Sequence, residues 1–311
     1  IEIENCDRIV KIYGDFFDTL DNHFFLKINS YINNLKIETR TKHQKRDYQI
    51  SFINKCIEHY KINDRGYGNI ACGVGKTLMS YWVHVAIKSK ITLIAVPSLY
   101  LLTQFFKEWI FEAEADSRDP EILLIGSSAD YETDKYMNNG LLLTTDDCEI
   151  YKKIALFKLS KKKNLIIIAT YQSVDKLKFA SDVLKLKYDL AIIDEAHKSC
   201  QQKGHKFSFL LNNSNIRINK RLFLTATPRI YKLNLKSDNI DKDIISMDNK
   251  KWYGDQIFKY SIRQGIDSGY LCPYQIMTLF TDNKYIYKLI KNNILVNSAL
   301  LKETNSYYLA C

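Results

Sequence analysis

The chain has 311 residues, 46% of them hydrophobic, with 45 basic and 35 acidic side chains and a net charge of +10. Its apolar residues are sufficient for one large core or two modest ones, which excludes a disordered chain. No apolar run reaches the roughly 20 residues needed to cross a bilayer, which excludes a helical membrane protein. The positive charge fits a polyanionic partner such as nucleic acid, but a general over-use of Lys explains it equally well.

The N-terminus and the cysteines predict an intracellular protein. The first residues, IEIENCDRIV, lack a secretory pattern and an initiating Met, so we expect a piece of a longer, non-secreted chain. The seven cysteines are odd in number and include no CxxC pair, as expected for free thiols in a reducing compartment. Two loose groups of metal-ligand types, Cys56 with His59 and His197 with Cys200 and His205, lack the paired spacing of a zinc site, so we predict no zinc at either.

In chain order, residues 1–40 form an N-terminal extension without a readable motif, and residues 65–228 alternate short apolar runs with longer amphipathic stretches. The predicted strands are Tyr67–Ala71, Ile91–Val96, Glu121–Ile125, Asn164–Thr170, Tyr188–Asp194 and Arg221–Thr227. The predicted helices are Thr77–Ser89, Leu99–Glu114 and Asp146–Ser160. Because most runs are continuously apolar rather than alternating, they predict a mostly parallel, doubly wound α/β sheet buried on both faces.

A candidate phosphate-binding loop follows the first strand. It reads ACGVGKT and consists of Ala71, Cys72, Gly73, Val74, Gly75, Lys76 and Thr77. Glycines allow backbone N–H groups to converge on phosphate oxygens at a helix N-terminus, while Lys76 would contact the β- and γ-phosphates and Thr77 would hold Mg²⁺. The full G-x-x-x-x-G-K-[ST] pattern is not met, because Ile70 occupies the position of the first glycine.

A pair of carboxylates ends the strand within YDLAIIDEAH. Asp194 would bind Mg²⁺, in part through its water shell, and Glu195 would accept a proton from an attacking water. The alternative is an ordinary strand that ends in an acidic turn. The upstream ACGVGKT segment favours the catalytic interpretation.

Six motifs in a fixed order resemble those of superfamily 2 helicases. ACGVGKT resembles motif I, DEAH at 194–197 motif II and LTATP at 224–228 motif III. RDYQ at 46–49 is similar to the adenine-reading Q motif, VPSLYLLTQ at 96–104 to motif Ia, and ATYQS at 169–173 to a later motif that contacts the bound strand. The strings TPRIY and RQGIDSGYLCPYQI resemble the restriction-enzyme-like helicases of bacteria, mobile elements and large DNA viruses.

This resemblance implies a RecA-like P-loop NTPase domain that uses ATP and Mg²⁺. It implies that Arg46, Tyr48 and Gln49 lie at the base, with Gln49 hydrogen-bonded to the adenine edge, although RDYQ could simply begin a helix running to Tyr60. Ser98, Gln104, Thr170 and Gln172 would contact the phosphate backbone of a single strand, or serve only as caps and turn residues. Thr225 and Thr227 would relay the nucleotide state, and His197 would link the nucleotide site to motif III or the facing domain, or would simply be packed.

The resemblance also implies a division of the chain. Residues 41–235 would form the first motor domain, 236–270 a connecting segment and 271–311 the truncated start of a second RecA-like domain, opened by a strand at 270–280. Because a second domain supplies arginine fingers in such motors, we expect the chain alone to hydrolyse ATP slowly.

The leading hypothesis for the function is an ATP-driven motor on nucleic acid, with DNA favoured over RNA. The alternatives are a nucleic-acid-binding scaffold that has lost catalysis and a restriction-type translocase that does not separate strands.

Overall fold

The computed structural model describes residues 42–127, 143–200, 206–230 and 245–274. Its centre is one eight-stranded sheet in which all the pairings are parallel and the strands are ordered β4-β3-β5-β2-β6-β7-β1-β8. The strands are β1 (Arg65–Ile70), β2 (Ile91–Val96), β3 (Glu121–Ile125), β4 (Leu143–Thr144), β5 (Leu165–Thr170), β6 (Lys187–Ile193), β7 (Arg217–Thr225) and β8 (Asp255–Tyr260). The predicted α/β class is confirmed.

Helices flank the sheet. They are α1 (Asp47–His59), α2 (Lys76–Ile87), α3 (Leu99–Ala115), α4 (Asp147–Leu159), α5 (Leu177–Val183), α6 (Lys250–Tyr253) and α7 (Ile262–Asp267), with 3-10 turns at Val174–Lys176, Ala196–Ser199 and Lys206–Leu211. None of the helices in the described part of the chain combines the length and apolar character that crossing a bilayer requires.

Two apolar cores cover the two faces of the sheet. Along β2, Ile94 and Val96 belong to one core, which also holds Phe52 of α1, whereas Leu93 and Ala95 belong to the other. Both sets of side chains are fully buried. A strand that buries both faces needs an unbroken apolar run, which is why ITLIAV was readable as a strand from the sequence.

One strand departs from the sequence analysis. Residues 255–260 fall within the predicted connecting segment 236–270, yet they form β8, which pairs in parallel with β1 at the sheet edge. Along DQIFKY only Phe258 and Tyr260 are buried. An edge strand that is covered on one face has alternating rather than continuous apolar residues. The charged residues of this segment therefore made it resemble a polar connection in the sequence.

The chain divides into two compact units, Ile1–Leu271 and Cys272–Cys311. Of the second unit the structure describes residues 272–274, so the predicted start of a second domain lies mainly outside the described residues. The strand expected at 270–280 is absent over 270–274, and its remainder lies outside them. The predicted extension at 1–40 also lies outside the described part.

Candidate nucleotide-binding site

The candidate phosphate loop connects β1 to α2 at the carboxyl edge of the sheet. Gly73 and Gly75 have φ values of 80° and 84°, in the left-handed region where a side chain is strained. A Cβ on Gly75 would lie 3.0 Å from Nε2 of Gln49. Gly75 is the N-cap of α2, so the free N–H groups of that helix begin at the loop. The loop therefore has the backbone that phosphate binding requires.

The lysine of this loop meets the acidic pair. Nζ of Lys76 lies 3.2 Å from Oε1 of Glu195, and both side chains are largely withdrawn from solvent. Only β7 separates β1 from β6, so their carboxyl ends lie about two strand spacings apart, and the length of a lysine side chain bridges that gap. The two halves of the predicted site are thus brought together across 119 residues of sequence.

The backbone of Glu195 is left-handed, with φ 48° and ψ 47°, and it starts the 3-10 turn Ala196–Ser199. For a non-glycine residue this conformation costs about 1–2 kcal/mol, and it is held only where neighbouring groups enforce it. Tyr171 is one such group, because its hydroxyl donates a 2.7 Å hydrogen bond to the carbonyl of Asp194, the group that precedes Glu195 in the chain.

Asp194 is a buried carboxylate, only 4% exposed. Burial raises its pKa from 3.8 to about 6, and the neighbouring Lys76 opposes that rise. Within the described residues its Oδ1 atom has no hydrogen-bond partner. A buried carboxylate oxygen without a donor is suited to a hard cation, and Mg²⁺ prefers such oxygen ligands. Asp194 and the Thr77 hydroxyl at the start of α2 are the side chains that would hold it.

The three residues predicted to couple the site to other parts of the molecule form one hydrogen-bonded chain. Nδ1 of His197 lies 3.0 Å from Oγ1 of Thr225 and 3.3 Å from Oε2 of Glu195. The backbone N–H of Thr227 donates to the same Thr225 hydroxyl at 3.2 Å. Burial lowers the pKa of His197, while Glu195 opposes that shift. His197 is therefore connected both to Glu195 and to the end of β7.

Two of the residues predicted to lie at the base, Tyr48 and Gln49, contact the phosphate loop. Gln49 is 3% exposed, its Nε2 donates to the carbonyl of Val74 at 3.2 Å, and its Oε1 accepts from the backbone N–H of Arg46 at 2.9 Å. The hydroxyl of Tyr48 also donates to Val74, at 2.8 Å. Gln49 and Tyr48 therefore support the phosphate loop from behind, and the Gln49 amide is engaged within the protein.

A family model described as "Type III restriction enzyme, res subunit" matches residues 42–230, which contain the loop, the acidic pair and all six motifs. The chain belongs to this family. As a member of the res-subunit family it contains an N-terminal motor domain of the superfamily 2 helicase type, and the resemblance drawn from the motifs is confirmed.

Curated relatives of this res-subunit family member include viral and bacterial proteins. The "Probable helicase A859L" of African swine fever virus (strain Badajoz 1971 Vero-adapted) is 31% identical over 241 residues, which are 77% of this chain and 24% of the viral protein. The chain thus spans about a quarter of the length of the viral relatives it matches. The type I restriction enzyme EcoAI endonuclease subunit of Escherichia coli is 25% identical over 121 residues, 38% of this chain and 13% of that subunit.

Two solved structures resemble the chain in fold and sequence. One is a nuclease-deletion mutant of the type ISP restriction-modification enzyme LlaGI in complex with a DNA substrate mimic, with 27% identity, a TM-score of 0.62, and coverage of 74% of this chain and 18% of that one. The other is the ATP-dependent type ISP restriction-modification enzyme LlaBIII bound to DNA, with 29% identity, a TM-score of 0.61, and coverage of 74% and 16%.

Three of the four residues predicted to contact nucleic acid lie at or just beyond neighbouring strand ends in this res-subunit family member. Val96 and Thr170 pair in register at the ends of β2 and β5, which places Ser98 and Gln172 at the same edge. Ser98 is exposed and its side chain accepts from Leu101 N as the cap of α3, while Gln104 is exposed within that helix. Thr170 is buried, so its side chain is the least accessible of the four.

Two aromatic residues near the site had no functional signal in the sequence. Tyr171 reaches Asp194, and Tyr270 lies beside Arg46, with 4.3 Å between the guanidinium carbon and the ring centroid. Tertiary contacts of this kind leave no periodic pattern in the sequence from which they could be predicted. Among the residues described, no three His, Cys, Asp or Glu side chains cluster as a set of metal ligands, and His205 lies outside them.

Proposed function

We propose that the chain is the ATP-hydrolysing engine of a motor that moves along nucleic acid, with DNA as the favoured track. One observation carries the proposal: Lys76 and Glu195 meet at 3.2 Å at the end of a glycine loop, beside the buried Oδ1 atom of Asp194, which has no hydrogen-bond partner among the described residues. A basic group, a general base and a cation ligand are the components that phosphoryl transfer to water requires.

Each side chain has a role that follows from its position. Lys76 would leave Glu195 for the β- and γ-phosphates when the nucleotide enters, which frees the Glu195 carboxylate to accept a proton from the attacking water. Asp194 and Thr77 would hold Mg²⁺, which neutralises charge on the phosphate oxygens when bound. His197, next to Glu195 and Thr225, would pass the state of the site to the segment Thr225–Thr227.

Support for DNA comes from the relatives. The two structural relatives are enzymes in complex with DNA or a DNA substrate mimic. Each aligns with 74% of this chain, at 27% and 29% sequence identity. Ser98 and Gln172 offer a hydroxyl and an amide group at one edge of the sheet, and Gln104 offers a further amide on α3. These group types bind a phosphate backbone without reading its sequence. Because both relatives are restriction-modification enzymes, translocation without strand separation is the second candidate task for a longer protein that carries this engine.

Two substitutions test the engine. Lys76→Ala is expected to lower the affinity for Mg·ATP at least tenfold, whereas Glu195→Gln is expected to retain that affinity and to abolish phosphate release. The measurements, made on the full-length protein that carries this chain, are calorimetric titration with Mg·ATP and single-turnover phosphate release with and without single-stranded DNA. Lys90→Ala, at an exposed position on the opposite edge of the sheet, is the matched control. Phosphate release by Glu195→Gln at the rate of the unsubstituted protein would refute the assignment.

A further inference from the structure

An exposed apolar surface lies on two neighbouring helices, α4 and α5, away from the nucleotide site. The two helices pack against each other, and Nζ of Lys158 in α4 donates to the carbonyl of Leu184 at the end of α5, at 2.7 Å. Spacings of three and four residues place two apolar side chains on one face of each helix. These four residues, which we call the α4–α5 patch, are between 48% and 85% exposed: Leu156, Leu159, Phe179 and Val183.

The patch is additional to the apolar face that each helix already buries. Ile150 and Ile154 of α4, and Leu177 and Ala180 of α5, belong to one of the two cores of the sheet. A helix at a protein surface has its apolar residues on the side that faces the core and polar residues on the other side. Leucine, phenylalanine and valine on the outer face therefore indicate that something else covers these helices.

The N-terminal segment of the chain has the sequence of a helix that requires such a surface. Residues 1–41 precede the described part of the chain. Within them, apolar side chains recur every three or four residues and would form one stripe about 100° wide on a helix. The stripe consists of Ile9, Tyr13, Phe16, Leu20 and Phe24. A single helix of this length is marginally stable in water, so it depends on burial of its apolar stripe.

The charges of the segment and of the patch are opposite. Residues 1–25 contain six acidic and two basic side chains. The two helices of the patch with the turns that follow them, residues 147–163 and 177–187, contain nine lysines and three acidic side chains. Opposite charges around an apolar contact favour the encounter of the two surfaces and disfavour other partners. The charge pattern therefore matches the N-terminal segment to this patch.

The segment also joins the described part of the chain close to α4. Lys42 pairs with Asp116, just after the end of α3. Three residues further on, Asp119 accepts a 3.0 Å hydrogen bond from Lys162, which follows the end of α4. Residues 26–41 could span about 50 Å when extended, several times the width of a helix. The patch is therefore within easy reach of residues 7–25.

We propose that residues 7–25 dock as an amphipathic helix on the α4–α5 patch of the same chain. The proposal goes beyond the proposed function and does not depend on it. A tether of sixteen residues gives the segment a high effective concentration at the patch, so four apolar side chains are sufficient for docking. An interface between two copies normally buries about 800 Å² on each copy, which is more than four side chains supply.

The first test is photo-crosslinking in the full-length protein that carries this chain. Leu159→p-benzoylphenylalanine should form crosslinks to peptides from residues 1–25 of the same molecule. Ile62→p-benzoylphenylalanine is the matched control, because Ile62 is an equally exposed apolar residue in the turn between α1 and β1, and it should form none. Mass spectrometry identifies the crosslinked peptides. Crosslinks from position 159 that join two copies, or that reach only another part of the full-length protein, would assign the patch to a different occupant and overturn the proposal.

The second test is hydrogen exchange in a variant with a charged patch. Leu159→Asp combined with Phe179→Asp should speed the exchange of backbone amides in residues 7–25 at least tenfold, because an undocked helix opens more often. Both substitutions are at exposed positions, so the sheet should keep its thermal midpoint. Ile62→Asp is the control and should leave the exchange of the segment unchanged. If residues 7–25 exchange equally fast in the parent and in the double variant, the segment does not dock on the patch.

Discussion

Asp194 carries an unfavourable charge in the Mg²⁺-free protein. Burial raises its pKa from 3.8 to about 6, so the folded state holds this proton more tightly than the unfolded state does. The contribution of the group to stability is therefore greatest below pH 3.8 and is lost as the pH rises through about 6. A pKa difference of that size corresponds to at most about 3 kcal/mol. A buried charge that lowers the stability of the protein without Mg²⁺ is expected of a cation ligand.

Asp194→Asn should therefore stabilise the Mg²⁺-free protein at neutral pH. We expect a gain of about 1–3 kcal/mol at pH 7.5, because the amide removes the buried charge, and little gain at pH 4.5, where the native carboxyl is largely protonated. Thermal denaturation at the two pH values, without Mg²⁺, measures the effect. Asp182→Asn, at an exposed position, is the control. A variant less stable than the parent at pH 7.5 would mean that Lys76 already compensates the charge.

The nearness of Lys76 to the acidic pair could be predicted at the residue scale, and the support of the loop could not. A parallel sheet brings strand ends to one edge, so a glycine loop and an Asp-Glu pair at two such ends must lie close. The bonds from Gln49 to Val74 and from Tyr171 to Asp194 join side chains to backbone atoms 25 and 23 residues away. Neither residue type nor spacing specifies such a contact, which depends on how α1 and the end of β5 pack.

At the scale of elements, the sequence was most informative where an element buries both faces or has a clear cap. β2 and β3 have the predicted bounds, and α3 and α4 differ from prediction by no more than one residue at each end, with Ser98 and Asp146 capping them. β7 starts four residues earlier than expected, at Arg217, because its first half, RINK, is polar. The short α5 carries no strong amphipathic signal and was not predicted.

A hydroxyl group links the end of β5 to the acidic pair. Tyr171 is fully buried, and its hydroxyl donates to the Asp194 carbonyl at 2.7 Å. Its neighbours in the chain, Thr170 and Gln172, are both predicted to contact a nucleic-acid strand. Its ring stacks on Phe207, with centroids 5.1 Å apart, so the side chain is held firmly. A shift at Gln172 on binding nucleic acid would therefore reach the peptide that precedes Glu195.

Tyr171→Phe should weaken this link while the ring stays in place. We expect a loss of about 1 kcal/mol in stability from the missing hydrogen bond. The larger effect should be on coupling: the change in Mg·ATP affinity caused by saturating oligo-dT should shrink severalfold, with the affinity for ATP alone little altered. Tyr188→Phe is a matched control, because that buried hydroxyl bonds Ser181 at the far end of β6. Equal linkage in Tyr171→Phe and its parent would exclude Tyr171 as the connection.

At the scale of the whole molecule, β8 determines where the first compact unit ends. Gly254, with φ 72°, directly precedes the strand at a point where a Cβ would lie 2.0 Å from the Arg65 carbonyl oxygen, so only glycine fits. Phe258 then packs edge-on against Phe52, with centroids 5.6 Å apart, and Tyr260 stacks on Tyr48. The compact unit extends to Leu271, which places β8 and α7 with the sheet.

Shortening the chain to Leu271 and shortening it to Gly254 should therefore have very different effects on stability. A chain that ends at Leu271 keeps β8 and should unfold at nearly the same urea concentration as the full 311 residues. A chain that ends at Gly254 loses two buried aromatic side chains and the strand that pairs with β1, which lowers the free energy of unfolding by about 3–6 kcal/mol. Because a domain of this size is stabilised by only about 5–15 kcal/mol, we expect that shorter chain to aggregate or to unfold without a cooperative transition. Urea denaturation followed by tryptophan fluorescence compares the three chains. Equal midpoints for the chains ending at Gly254 and Leu271 would show that the sheet is complete without β8.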